Sequence, residues 1–303
     1  MSRRIDIVEV GPRDGLQNEK TLFTVGQKLE MIRRLETAGA RRMEVVSFVN
    51  PKRVPQMDGA EEIMFALPRT PGRSRIGLVL NMRGWDRCVE ARCDEANVVV
   101  CASDEFGIRN QGANVAEQVD ALGAIVAARK ADDPPISATV SVAFGCPFEG
   151  EVPEERVVSI VKAAAGFGVA EIALADTIGV ADPWMVRRRV ELAKAAAGGI
   201  PLRLHFHDTR NTGLANAFAG VEAGVDVLDA SVGGLGGCPF APNATGNIGT
   251  EDLVYMLERA GFETGYDLDQ LIEIGNWASD LLGKRTASSL SRAGGFPKAK
   301  VAV

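Results

Sequence analysis

The chain has 303 residues, 46% of them hydrophobic, and a formal net charge of −6, which allows one large core and argues against a general polyanion-binding surface, so no nucleic-acid partner is expected. No apolar run approaches the roughly 20 residues needed to span a bilayer, and the start, Met1-Ser2-Arg3-Arg4-Ile5-Asp6, lacks the apolar stretch of a signal peptide, so no membrane partner is expected either. Five cysteines in so long a chain make no disulfide framework, Cys88 and Cys93 have the wrong spacing for a CxxC site and read as buried or inert, and the expected compartment is a reducing cytoplasm.

Short β-branched or apolar runs alternate with longer segments of helical period. The strand candidates are residues 5–10, 42–46, 75–80, 96–101, 136–142, 171–175, 202–207 and 225–231. Helical candidates fall between them. Residues 25–38 carry Leu29, Ile32 and Leu35 on one face; 85–91 make a short helix; 115–130 carry Val119, Leu122 and Val126; 154–167 carry Val157, Ile160, Val161 and Ala164. Residues 183–197 begin with a proline, where its missing N–H costs least, and 211–223 and 250–260 complete the set. Eight β-then-α units over about 260 residues predict an α/β fold, a (β/α)8 TIM barrel with a short C-terminal helical extension. A doubly wound open sheet is the alternative; the lack of Gly-x-Gly-x-x-Gly after the first strand weakens its dinucleotide-binding version. The expected organisation is one domain, 1–303: a barrel over about 5–260, an extension over about 261–290 with a helix at 268–282, and a mobile tail over 291–303.

In such a barrel, chemistry collects where strands end and the following loops begin. The only two histidines, His205 and His207, sit two apart in Leu204-His205-Phe206-His207-Asp208, so an extended backbone points both imidazoles to one side. Two such nitrogens suit a divalent metal; two unrelated histidines, one packed and one solvated, are the plainer alternative. After the first strand, the loop from Glu9 to Lys20 brings Arg13 and Asp14 to the strand mouth, which a solvated turn explains poorly. Glu44 lies among apolar neighbours in the second strand, where either a salt bridge inside the barrel or an active-site role would answer its burial. Asp176 ends the sixth strand and reads equally as an Asx-turn or cap.

The eighth strand runs into Gly233-Gly234-Leu235-Gly236-Gly237-Cys238, with no Gly-Lys-Ser/Thr to make it a phosphate loop. A thiol on such a loop can donate or accept a proton, although a lone cysteine is more often a small apolar residue. Asn247 precedes the last barrel helix, whose first turn holds Glu251, and its amide oxygen can reach a metal in the mouth. Asp14, His205, His207 and Asn247 then form a mixed N/O ligand set with open positions, better matched to Mg²⁺ or Mn²⁺ than to structural zinc.

Longer motifs are also present: Val8-Glu9-Val10-Gly11-Pro12-Arg13-Asp14-Gly15-Leu16-Gln17-Asn18-Glu19-Lys20, Ser47-Phe48-Val49, Val54-Pro55-Gln56-Met57, Gly145-Cys146-Pro147-Phe148-Glu149-Gly150, Asp176-Thr177-Ile178-Gly179-Val180 and His205-x-His207-Asp208-Thr209. With the Gly233–Asn247 loop, they resemble the 3-hydroxy-3-methylglutaryl-CoA lyase family of the metal-dependent aldol/Claisen barrels, over nearly the whole chain. The resemblance implies cleavage of a 3-hydroxyacyl-CoA into a shorter acyl-CoA and a keto acid, within leucine breakdown, by a homodimer or other homo-oligomer. By motif position it implies that Asp14, His205, His207 and Asn247 ligate the metal. It implies that Arg13 stabilises the enolate and that Cys238 protonates it. Glu44, Asp176 and Glu251 match positions linked to the active site or its support, and Gln17 and Lys20 lie near the substrate or its CoA arm. The acceptor of the hydroxyl proton stays open between Asp176 and a histidine-linked water.

Arg210-Asn211-Thr212 and Pro242-Asn243 depart from the family's usual Tyr-Gly-Gln and glycine. They leave a related lyase for another branched acyl-CoA, such as citramalyl-CoA, as the alternative, with an arginine at the mouth that could bind a different acid. A condensing synthase of the same superfamily is a further alternative; such enzymes usually add a C-terminal domain, for which this chain has no room.

Overall fold

Eight short strands pair side by side in chain order, all parallel, and close into a barrel. They are β1 (Asp6–Glu9), β2 (Arg42–Ser47), β3 (Ser74–Val79), β4 (Glu95–Cys101), β5 (Ile136–Ser141), β6 (Glu171–Asp176), β7 (Leu202–Phe206) and β8 (Val227–Ala230). Closure comes from β1 on β8, with Asp6 opposite Val227 and Glu9 opposite Ala230. The computed structural model describes residues 3–237 and 246–297.

Each strand is followed by helix: α1 (Val25–Thr37), α2 (Ala60–Ala66), α3 (Met82–Glu90), α4 (Asp104–Gln111) and α5 (Val115–Ala128), α6 (Glu154–Phe167), α7 (Pro183–Ala197), α8 (Gly213–Glu222) and α9 (Thr250–Arg259). The extension contains α10 (Leu268–Leu282) and α11 (Leu290–Ala293). Local signals fix many starts. Thr24 and Gln27 make a reciprocal capping box at α1, Asn114 and Glu117 another at α5, and Asp182 caps α7 ahead of Pro183. Helix α8 begins two residues later than its apolar period suggests, because Asn211 takes a left-handed φ of 58° and breaks the helix there. Helices α2 and α4 were not anticipated: each is too short, at 7 and 8 residues, to show a period, although α4 carries a Ser103 cap and ends on a left-handed Gly112. No helix among the described residues is long and apolar enough to cross a membrane.

Strand alternation sorts the side chains into two environments. The outward set packs under the helices in one extensive apolar core. A separate small apolar cluster, Val8, Val10 and Ile76 with Val227 against them, sits inside the barrel. Barrel interiors are ordinarily filled by branched aliphatic residues, but much of this one is ionic. Arg42 bridges Glu95 (2.6 Å) and Glu171 (2.7 Å), and Arg203 bridges Glu171 (3.0 Å) and Asp229 (3.2 Å). Arg203 is wholly buried, so only this pairing makes its charge tolerable. Cys88, Cys93, Cys101 and Cys146 are free and buried.

Candidate active site

The strand mouths gather the polar residues. Past β1 the chain winds through a wide helical turn, Gly11–Gly15, which sets Arg13 and Asp14 side by side above the barrel. The Arg13 Nη1 donates to Asp14 Oδ1 (2.6 Å), and its Nε donates to Glu44 Oε1. Glu44 is buried where the β2–β3 register slips between Glu44 and Val46; it is both the salt-bridge partner and a cavity-lining group.

Asp14, His205 and His207 each turn a ligand atom to within 4.8 Å of the others. His207 Nε2 lies 3.6 Å and His205 Nε2 4.0 Å from Asp14 Oδ2. Burial opposes ionisation of Asp14, but the charge of Arg13 and the two histidines outweighs it and holds the carboxyl well below the usual carboxylate range. Asn247 pairs with His207 across an isolated bridge, and its Nδ2 donates to Asp14 Oδ2 (2.7 Å) and to the Leu235 carbonyl (3.0 Å). Its Oδ1 is buried without a partner. A buried amide oxygen without a donor is costly unless something else engages it; here the NH₂ of that amide faces Asp14, so its oxygen would meet a cation there only with the amide turned. One carboxylate and two imidazoles fit a divalent metal, and the Asn247 oxygen is a further donor once the amide turns.

The group that orients His205 belongs to none of the sequence motifs above. The Asp229 Oδ2 bonds His205 Nδ1 (3.1 Å), while its Oδ1 accepts from Arg203. A carboxylate behind a ligand histidine fixes the tautomer, leaving Nε2 free to coordinate. The signal was available: Asp229 is a charged residue inside an apolar strand, as Glu44 is. Removing such a partner commonly weakens metal binding 10- to 100-fold, so Asp229→Asn is expected to raise the Mn²⁺ dissociation constant by roughly that factor. Calorimetric titration checks this, and unchanged affinity would remove Asp229 from the site.

Glu9, which the sequence marks only as part of a motif, has a similar supporting place. Its carboxylate accepts from the Gly11 (2.7 Å) and Val232 (3.0 Å) amides and the Thr250 hydroxyl (2.6 Å), tying the loops after β1 and β8 together. Glu251 lies beneath the glycine loop and accepts the Gly233 amide (2.9 Å), holding that residue at φ 70°. Gly236 passes so close to Asn247 that a Cβ would stand 2.6 Å from Nδ2. Burial pushes Glu9 up to about 7 and Glu251 up to about 8. Both hold a proton more tightly in the fold than in an unfolded chain. Their contribution to stability is complete below the ordinary carboxylate range and declines as pH climbs through those values, by at most about 1.4 kcal/mol per pH unit from each. Glu251→Gln should therefore flatten the stability curve between pH 5 and 8 in urea unfolding. A variant curve parallel to the parent's would contradict this.

The other expected site residues divide. Arg13, Asp14, Gln17, Glu44, His205 and His207 line one cavity, with Val49, Val54, Leu78, Leu80, Val99 and Phe106 as its apolar wall. Asp176 does not line it. Its carboxylate accepts the amides of Val180 (2.9 Å) and Ala181 (2.9 Å), tying down its own loop four and five residues on rather than forming an Asx-turn or a helix cap, and burial raises its pKa. Lys20 is exposed outside the cavity. Arg210 is exposed, does not line the cavity, and donates from Nη1 to the carbonyls of Ile178 (3.0 Å) and Gly179 (2.8 Å). Cys238 and Asn243 lie outside the described residues, although Gly237 lines the cavity.

The HMGL-like family model matches residues 4–277. Human mitochondrial hydroxymethylglutaryl-CoA lyase is 38% identical over 293 residues, covering 97% of this chain and 90% of that protein. The mouse cytoplasmic 3-hydroxy-3-methylglutaryl-CoA lyase is 37% identical over 289 residues, covering 95% and 84%. Among solved structures, an HMG-CoA lyase of Acinetobacter baumannii in complex with coenzyme A and 3-methylmalate superposes with a TM-score of 0.93 at 40% identity, covering 99% of this chain and 97% of the other. The HMG-CoA lyase of Bacillus subtilis gives 0.91 at 36%, covering 96% and 98%. With barrel, motifs and near-complete coverage in agreement, this chain belongs to the HMGL-like family of carbon–carbon lyases.

Proposed function

We propose that this lyase cleaves 3-hydroxy-3-methylglutaryl-CoA to acetyl-CoA and acetoacetate, with Mg²⁺ or Mn²⁺ held by Asp14, His205, His207 and Asn247. The carrying observation is the Arg13 guanidinium fixed beside the Asp14–His205–His207 cluster in one cavity. A cation held by these residues would supply Lewis acidity that lowers the pKa of the tertiary hydroxyl. The hydroxyl proton leaves to a water on the histidine side, the ketone carbonyl of acetoacetate forms, and as the carbon–carbon bond breaks its electron pair enters the thioester enolate. Arg13, already anchored through Nε and Nη1, meets that developing charge without reorganising. The Cys238 thiol then gives its proton to the enolate carbon and is reprotonated from solvent. The apolar wall keeps water from the enolate. Gln17 lies on the substrate side, and Lys20, out on the surface, suits the CoA arm. The reading makes the reaction part of leucine degradation in the cytoplasm, carried out by a homodimer or other homo-oligomer.

A second reading, cleavage of citramalyl-CoA, is favoured by the Acinetobacter relative's complex with 3-methylmalate, another hydroxy diacid. An assay with Mg²⁺ that runs both thioesters side by side and follows the acyl-CoA product decides. Cleavage of the first supports the main reading, cleavage of the second alone supports the alternative, and cleavage of neither by metal-loaded protein refutes both.

A further inference from the structure

Behind Arg13 lies a hydrogen-bonded chain that none of the roles above uses. Glu44 is 1% exposed and Asn97, from β4, is 3% exposed. The Asn97 Nδ2 donates to Glu44 Oε2 (2.8 Å), the oxygen that Arg13 does not take. The Thr139 hydroxyl, from β5, donates to Asn97 Oδ1 (2.9 Å). Asn97 and Thr139 both line the cavity.

The direction of this chain is fixed by chemistry. A carboxylate only accepts, so Asn97 must turn its NH₂ to Glu44. Its Oδ1 then faces Thr139, which must donate. Glu44 thus has both oxygens engaged, and its plane is set by two partners on opposite sides. That plane sets the Nε anchor of Arg13. Without Asn97, Oε2 would be a buried acceptor with nothing to accept, and the carboxylate would turn to find a donor, taking the guanidinium with it. Nη2 has no acceptor among the described residues, so it is the edge of the fork whose aim depends on those anchors.

We infer that Asn97 is a positioning residue for Arg13, acting through Glu44, and that the Thr139 hydroxyl braces its amide from the other side. The catalytic part of this rests on the proposed lyase reaction. One consequence is chemical: the Thr139 hydroxyl, committed as a donor to Asn97, faces the cavity as an acceptor only.

The test compares Asn97→Val, Thr139→Val and Thr139→Ser with the parent enzyme in the Mg²⁺ assay. Asn97→Val is expected to lower kcat roughly tenfold to a hundredfold with KM within about threefold, because a lost bond to a charged group acts here only on the transition state. Thr139→Val should lower kcat by about tenfold, and Thr139→Ser should restore it. In a Glu44→Gln background, Asn97→Val should add less than about twofold, since the two act as one unit. Unchanged kcat in Asn97→Val, or Thr139→Ser as impaired as Thr139→Val, overturns the inference; the threonine pair keeps the test open if Asn97→Val does not fold. A readout free of turnover separates failure of the inference from failure of the lyase reading. With ¹⁵N-arginine labelling, the Arg13 Nε–H resonance, identified by its loss in Arg13→Lys, should lose exchange protection in Asn97→Val and Thr139→Val and keep it in Thr139→Ser. Identical protection in the parent and Asn97→Val overturns the inference even if no thioester is cleaved.

Discussion

Arg13→Met is expected to lower kcat roughly a hundredfold to a thousandfold, the loss that follows removal of one oxyanion donor, while Mn²⁺ stays bound. The geometry separates the two effects. Arg13 touches the metal cluster only through Nη1 on Asp14 Oδ1, and the other oxygen of Asp14 faces the histidines. Taking the cation away leaves Asp14 more available to a metal, so affinity should hold or rise. Electron paramagnetic titration with Mn²⁺, set beside steady-state rates, decides. A variant with near-parental kcat would end the enolate-stabilising role, and one that has lost its metal would mean that Arg13 is part of the metal site.

His207→Ala should fail for the opposite reason. Its imidazole is 3% exposed and, among the described residues, one of three histidine or carboxylate side chains in the cluster. Its removal should weaken Mn²⁺ binding by more than the roughly 10- to 100-fold expected for an outer partner such as Asp229. Full occupancy in His207→Ala at a concentration that just saturates the parent would refute the ligand set. If both variants are inactive, one with metal and one without, the reacting group and the metal holder are separated experimentally.

Much of this was legible before the structure. The eight strands fall within two residues of their expected bounds because β-branched runs between helical periods are a strong signal, and the 154–167, 183–197 and 268–282 helices match residue for residue. The two-residue spacing placed His205 and His207 on one side of β7, and the crowded loop after β1 pointed to Arg13 and Asp14. The polar support was less legible. Asp229, Asn97 and Thr139 each sit on the inward side of a strand, but which inward residues meet across a barrel depends on register and closure, which no single strand records. Asp176 went the other way: a polar residue at a strand mouth looks the same in sequence whether it faces substrate or ties its own loop.

The ionic interior has a consequence for how the barrel assembles. Arg42 comes from β2, Glu95 from β4, Glu171 from β6 and Arg203 from β7. A one-residue slip in any of these strands would turn its charge outward into the apolar layer and leave its partners uncompensated within. An aliphatic filling would tolerate several nearly equivalent arrangements, whereas these charges are balanced in one. The network therefore penalises misregistered barrels, because a shifted strand leaves buried ions unpaired.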